Sequence, residues 1–245
     1  MWDNAPLLKN IANALIAFSV LAVLYGVVHY AVHLPGWFPL QSVQLSAAPQ
    51  RVEVAEVLRT VRDETNGNFF TVDIDRVRES LEKLPWVRGV SIRREFPNRL
   101  MVEMEEHQAL ARWTNDARFD GLRTGLVNQY GEVFIVGADR AAKSYQELPD
   151  FAGPDGASAE VAQHYAQFSG QLALAGLKAV KLALSERHAW QLRLSNGMLL
   201  ELGREDMQQR LARFVAAQMT EDMSRVKYVD LRYRNGFSVR QGSRG

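Results

Sequence analysis

The chain has 245 residues, enough for one large domain or two of ordinary size. Its 29 basic residues balance 28 acidic ones, and no basic domain or stripe marks it as a nucleic-acid reader. It contains no cysteine, which excludes a disulfide framework and a thiolate metal site.

From Ile11 to Leu34 the chain carries no Lys, Arg, Asp or Glu. As a helix this run is roughly 36 Å long, enough to cross a bilayer with some tilt. Tyr25, Tyr30 and Trp37 lie toward its C-terminal end, where an aromatic belt would sit. A signal peptide has a shorter apolar region, and no small-x-small cleavage pattern follows. The expectation is a retained membrane span over residues 11–34. Lys9 precedes the span, and no charge follows it until Arg51. That favours a short cytoplasmic tail, residues 1–10, with the remainder outside.

Beyond the span, Leu40–Leu45 reads as a short strand. Val54, Val57, Leu58 and Val61 have the spacing of an amphipathic helix. After the turn at Asn66-Gly67-Asn68, Thr71 or Asp73 can cap a second helix with Ile74, Val77, Leu81 and Leu84 on its apolar face. Pro85 ends it. A hairpin follows, with Val90, Ile92 and Phe96 on one face of the outgoing strand and Leu100, Val102 and Met104 on one face of the return. A three-residue loop, Pro97-Asn98-Arg99, would pair Phe96 with Leu100, Ile92 with Met104, and Arg93 with Glu103. The predicted order is strand, helix, helix, strand, strand.

A second region begins near Gln108. Ala109–Trp113, Leu126–Asn128 and Val133–Val136 read as strands, and Leu148–Gly156 as a loop. Val161, Tyr165, Phe168 and Leu172 mark a helix, and Met207, Leu211, Phe214 and Val215 another. Two further hairpins share one rule. Ser195-Asn196-Gly197 would keep Leu194 with Met198, Leu192 with Leu200 and Trp190 with Leu202. Arg234-Asn235-Gly236 would keep Tyr233 with Phe237 and Leu231 with Val239. In both, glycine stands where such a loop needs a left-handed residue. The residues after Arg240 read as a frayed tail.

Catalytic constellations are missing: no Gly-rich phosphate loop, no G-x-S-x-G elbow and no paired-histidine zincin motif. His29, His33, His107, His164 and His188 are scattered. Alternation sends Glu103 and Glu105 to one strand face and Glu106 to the other, which argues for a solvated edge over a metal site with His107. Arg93-Arg94 reads as ion pairing rather than a phosphate contact. Asn115, Asp116, Asp120 and Asp139 are loop residues with no base or nucleophile in view. The terminal strand, Val229 to Tyr233 with its return through Phe237, Ser238 and Val239, is either an edge open to a partner strand or a short edge shielded by arginines. Physics alone leaves both open.

Taken together, the parts resemble the FtsQ/DivIB family of bacterial cell-division proteins. The resemblance rests on Leu84-Pro85-Trp86-Val87 with Val90 and Ile92, on Phe96-Pro97-Asn98-Arg99-Leu100, and on Glu105 to Trp113. Further matches are Leu126 to Phe134, Trp190-Gln191-Leu192, Leu202-Gly203-Arg204, Arg210 to Phe214 and Tyr228-Val229-Asp230-Leu231-Arg232-Tyr233. It implies an α+β fold: the single transmembrane helix, a POTRA domain over residues 38–107, a larger β-rich domain over residues 108–240 and a disordered tail, 241–245. It also implies a non-catalytic scaffold without cofactor or small-molecule substrate, set in the inner membrane at the septum with its bulk in the periplasm. The implied partners are FtsB and FtsL, alongside other membrane proteins of the division machinery. The implied site is strand addition at the last hairpin, centred on Arg232 and Tyr233 with Gly236, Phe237, Ser238 and Val239, and joined by Arg187. Arginines suit such a site because they fork onto carboxylates. Arg240-Gln241 stands where relatives often place an aromatic. The rival classes are a POTRA-bearing secretion factor that chaperones outer-membrane strands and an anchored hydrolase. Neither the strand series of a barrel nor a nucleophile–base pair supports them.

Overall fold

The computed structural model describes residues 5–34, 36–65, 67–115, 125–136, 145–220, 223 and 225–241. It is an α+β protein that divides into two compact units, Met1–Glu106 and His107–Gly245. Asp116, Asp120 and Asp139, singled out above, lie outside the described residues.

The first unit opens with α1 (Ala5–His33), which starts six residues before the charge-free run and takes Lys9 into its first turns. Its Leu8–His33 portion has a mean hydropathy of 2.3 and is not buried anywhere in the protein, as a candidate membrane span requires. Beyond it, β1 (Ser42–Leu45), α2 (Val54–Glu64), α3 (Ile74–Glu82), β2 (Val87–Glu95) and β3 (Arg99–Glu106) follow in the order expected. The sheet order is β1-β3-β2, with β1 parallel and β2 antiparallel to β3. Amphipathic spacing buries Val57 and Val61 of α2 and Val77 and Leu81 of α3 with Val90, Leu100 and Val102 of the sheet. Of the two candidate caps, Asp73 does the work: its carboxylate accepts from the Asp75 and Arg76 amides at 3.1 Å.

The hairpin register differs from the expectation by two residues. Glu95 pairs with Arg99 and Ile92 with Val102, so the loop is Phe96-Pro97-Asn98. Arg93 therefore faces Met101, not Glu103. Its neighbour Arg94 donates to the Phe69 and Val72 carbonyls at 3.0 and 2.6 Å. The cross-strand ion pairs that form among the described residues join Arg88 to Glu105 at 2.8 Å and Arg99 to Glu95 at 4.0 Å. Phe96 leaves the core face and is exposed at the hairpin tip.

Glu106 closes this unit. Its carboxylate accepts from the consecutive amides of Gln50, Arg51 and Val52, each at 2.9 Å, at the approach to α2. An anion in a nest of backbone N–H groups is a charge-assisted contact, which explains its use as a clasp rather than as a metal ligand.

Among the described residues the second unit is built on one nine-stranded sheet, ordered β12-β11-β10-β9-β8-β7-β4-β5-β6. Its strands are β4 (Ala109–Thr114), β5 (Gly125–Asn128), β6 (Val133–Phe134), β7 (Asp150–Ala152), β8 (Ala179–Leu184), β9 (Trp190–Leu194), β10 (Leu199–Gly203), β11 (Val226–Asp230) and β12 (Ser238–Gln241). Two helices, α4 (Ser158–Ala173) and α5 (Met207–Thr220), make the crossovers between the parallel neighbours β7 and β8 and β10 and β11. Phe168 and Leu172 of α4 and Leu211 and Phe214 of α5 bury with Phe151, Leu182, Leu192, Leu200 and Val229 in one core.

Here the sequence expectation fails at the sheet's centre. The segment read as a loop, Leu148–Gly156, contains β7, which pairs with β4 on one side and β8 on the other. Strand β8 was not expected either. The β9–β10 register holds at Leu192–Leu200, but a bulge after Glu201 sets Trp190 against Gly203 instead of Leu202. The Glu106 clasp makes a direct prediction. Glu106→Ala should destabilise the first unit by about 2 kcal/mol, and Glu106→Gln by less, in urea unfolding of the detergent-solubilised chain.

Candidate partner-binding edge

The final hairpin begins where α5 returns the chain to the sheet. Val229 and Leu231 are buried against the core, and the Leu231 amide donates to the Glu201 carbonyl at 2.9 Å. β11 ends at Asp230. The ladder pairs Asp230 with Ser238, Val229 with Val239 and Tyr228 with Arg240. Again the register lies two residues from the expected one. Leu231 to Phe237 form a seven-residue connection in place of the three-residue loop. Gly236 has no left-handed backbone, and a Cβ there would meet nothing within 4 Å, so this position does not demand glycine; Gly197, at φ 85°, does.

Asp230 organises the connection and was not among the residues expected at the site. It is buried, and it accepts from the Arg232 amide at 3.1 Å, Nε at 2.8 Å and Nη2 at 2.6 Å. The hydrogen bonds from Arg232 hold the Asp230 carboxyl below the usual carboxylate range, against the opposing effect of burial. The same pairing raises the Arg232 guanidinium above its ordinary value. Arg232 thus spends two of its donor groups inside the chain. Nη1 has no hydrogen-bond partner among the described residues. The available signal was the i, i+2 spacing, which sets Asp230 and Arg232 on one strand face.

The base beneath them is closely packed. Gly203 has φ 77°, and a Cβ on it would fall 2.8 Å from Arg210 Nη1 and 3.1 Å from Arg232 Cγ. Arg210, itself buried, donates to the Leu202 carbonyl at 2.8 Å, and Arg213 donates to the Arg234 carbonyl at 2.5 Å. Phe237 packs against the core, its ring 6.5 Å from Phe214. Tyr233, 57% exposed, and Val239, 47% exposed, face outward instead.

β12 is the last strand of the sheet, and all four of its residues are exposed. Arg240 lies over the Tyr228 ring at 5.2 Å. The structure gathers Arg232, Tyr233, Gly236, Phe237, Ser238 and Val239 at one corner. Arg187 is exposed in the β8–β9 turn, at the same end of the sheet but with β10 intervening. At strand spacings of about 4.8 Å, β9 lies roughly 10 Å from β11.

The other residues singled out in the sequence have local roles. His107 stacks on Phe134 at 4.2 Å, and His164 meets Trp190 in a tilted contact at 4.4 Å. Asn115 accepts from Trp113 Nε1 at 2.8 Å and donates to Asp155. No group of three or more His, Asp or Glu side chains that could hold a metal occurs among the described residues.

The Asp230–Arg232 fork predicts a pH signature. A depressed native carboxyl contributes stability that is present above its unfolded pKa and lost as pH falls through its native pKa. Asp230→Asn should therefore lower stability by about 1–3 kcal/mol at neutral pH. Denaturation measured against pH should show the gap closing once the solution falls below about pH 4.

Comparison with known proteins agrees with this architecture. Residues 38–107 match the model of the FtsQ-type POTRA domain, and residues 111–232 that of the C-terminal region of cell division protein FtsQ/DivIB. The cell division protein FtsQ of Nitrosospira multiformis is 37% identical over 98% of this chain and 99% of its own. Those of Burkholderia pseudomallei and Neisseria gonorrhoeae are 36% and 31% identical, over 98% and 100% of this chain and 94% and 97% of theirs. The chain belongs to the FtsQ/DivIB family of cell-division proteins.

Proposed function

We propose that this chain is a non-catalytic scaffold of the bacterial division site. On this reading α1 anchors it in the inner membrane with residues 1–10 in the cytoplasm. The POTRA domain, 38–107, and the β-rich domain, 108–240, lie in the periplasm at the septum. The recognition element is β12, which takes up a strand of the bitopic protein FtsB, with FtsL bound alongside. The observation that carries the proposal is the outer edge of β12, on which no strand pairs among the described residues, beside the exposed Tyr233 and the anchored Arg232. An unpaired edge supplies backbone donors and acceptors for affinity, and flanking side chains supply the selectivity. Arg187 shares that end of the sheet but lies inward of β12, past β11 and β10, so on this reading it meets only a part of the partner that continues back across the sheet's end. The rival role as a chaperone of outer-membrane strands has the POTRA fold in its favour and nothing else.

Tyr233→Ala removes an exposed aromatic anchor that the core does not use. Affinity for the FtsB ectodomain, measured by calorimetry, should fall roughly tenfold or more, with circular dichroism unchanged. Wild-type affinity in a folded variant would dismiss the site. In dividing cells a fluorescent fusion of the intact chain should band at midcell, and diffuse envelope signal throughout the cycle would count against the scaffold role.

A further inference from the structure

The first unit carries a feature that strand addition leaves unused. Four large aromatic side chains are exposed around the exit of α1: Trp37 at 56%, Phe38 at 42%, Phe70 at 43% and Phe96 at 74%. Three of them belong to one ring chain. Phe38 meets Phe70 edge-on at 5.1 Å, Phe70 meets Phe69 at 5.1 Å, and Phe69 meets Phe96 at 6.5 Å. Phe38 sits at φ 57°, a conformation that disfavours residues bearing a side chain.

Polar contacts fasten this group to the end of the helix. The buried Asn68 donates through Nδ2 to the carbonyls of Val32 and Leu34, at 2.5 and 3.2 Å, satisfying backbone groups that the helix terminus leaves without partners. The Phe69 amide donates to the Phe38 carbonyl at 2.9 Å, and the Gln41 amide to the Asn98 carbonyl at 3.0 Å. Arg94 ties the hairpin to Phe69 and Val72. Helix end, 67–72 turn and hairpin tip are therefore one assembly. Around the tip, Arg93, Arg94 and Arg99 outnumber Glu95.

We propose that this aromatic face docks into the interfacial layer of the membrane that α1 crosses, so that the first folded unit rests on the bilayer surface. The inference depends on α1 being a membrane span. Asn68 is in hydrogen-bond contact with the helix exit, and Phe70 is two residues further on. Interfacial layers are roughly 5–8 Å deep on each side, so the rings stand at headgroup level. Aromatic rings favour that layer, and an excess of arginine suits anionic phospholipid there. The docked unit leaves its sheet standing out of the bilayer, with Glu103 roughly 15 Å along β3 from the hairpin tip.

The absence of native cysteine makes the test direct. Full chains carrying Phe70→Cys, Phe96→Cys, Glu103→Cys or Leu21→Cys take a single fluorescent label. They are reconstituted in phosphatidylethanolamine–phosphatidylglycerol vesicles. Lipids brominated near the top of the acyl chain should quench the Phe70 and Phe96 labels roughly threefold more than the Glu103 label, and iodide should show the reverse order. Lipid quenching at Leu21 with only iodide quenching at Phe70 and Phe96 overturns the docking and leaves the span intact. Failure at Leu21 overturns both. Labels at Phe70 and Phe96 shielded from both quenchers would mean that protein covers the face, which also overturns the lipid assignment.

Discussion

The arrangement of the second unit depends on one crossover, the burial of α5 over β10 and β11. Leu211, Phe214 and Val215 of the helix share a core with Leu200, Leu202, Val229 and Leu231. A helix with that apolar stripe must cover a sheet, and a crossover connection sets its two strands parallel. Once β11 lies outside β10, the short connection 231–237 can only fold β12 back along the outer side of β11. The exposed edge is thus a consequence of the core packing of α5, upstream in the chain. Large-to-small changes at Phe214 or Leu211 act on the site by loosening the strand that carries it, although neither residue is at the surface.

Much of this was legible in the sequence, for identifiable reasons. The charge-free run marks a candidate span by length and composition, and the start of α3 was readable to within two caps, between which the Asp73 contacts to the Asp75 and Arg76 amides decide. The buried stripes of α3 and α5 follow from period 3.6, but of the face expected for α2 only Val57 and Val61 are buried, while Val54 and Leu58 are exposed. Both register errors have one physical origin. The sidedness of a strand has period two, so sliding a hairpin by two residues leaves every apolar residue on its proper face. Ile92 meets an apolar residue whether it pairs with Met104 or Val102, and the pattern cannot choose between them. Turn chemistry chooses, and here Phe96 and Leu231 leave the ladders for the connections. Strand β7 was hidden for a different reason. Three residues between Pro149 and Gly153-Pro154 look like a loop, and only pairing on both sides makes them a strand. In β8 the run Ala179-Val180-Lys181-Leu182-Ala183-Leu184 is rich in helix-forming residues, and its tertiary position overrides that preference.

The buried ionic contacts divide by task. Arg112 and Asp150 are paired residues on neighbouring central strands, both largely buried, with Arg112 Nε 2.7 Å from the carboxylate but off the hydrogen-bonding line; Lys181 approaches Asp150 at 3.6 Å. Such a cluster favours one register of a short parallel strand that side-chain alternation leaves underdetermined. Asp230 instead has all three Arg232 contacts aligned, and it holds a turn rather than a ladder. The first resolves which residues pair; the second resolves where one guanidinium stands.

That difference bears on how a four-residue edge can hold a partner. Each added backbone hydrogen bond contributes roughly 0.5–1.5 kcal/mol net, whereas lost translational and rotational freedom costs about 4–15 kcal/mol. β12 alone cannot close that gap. Anchors that need no reordering improve the balance, and Arg232 is already fixed by Asp230 while Phe237 holds the connection to the core. The remaining deficit falls to geometry. A partner tethered in the same membrane meets the edge at an effective concentration set by its linker, which can add a factor of about 100–10,000 without any new contact. On the proposed reading, a short, preformed edge on an anchored body suits partners that share the membrane and discriminates against soluble strands offering the same backbone.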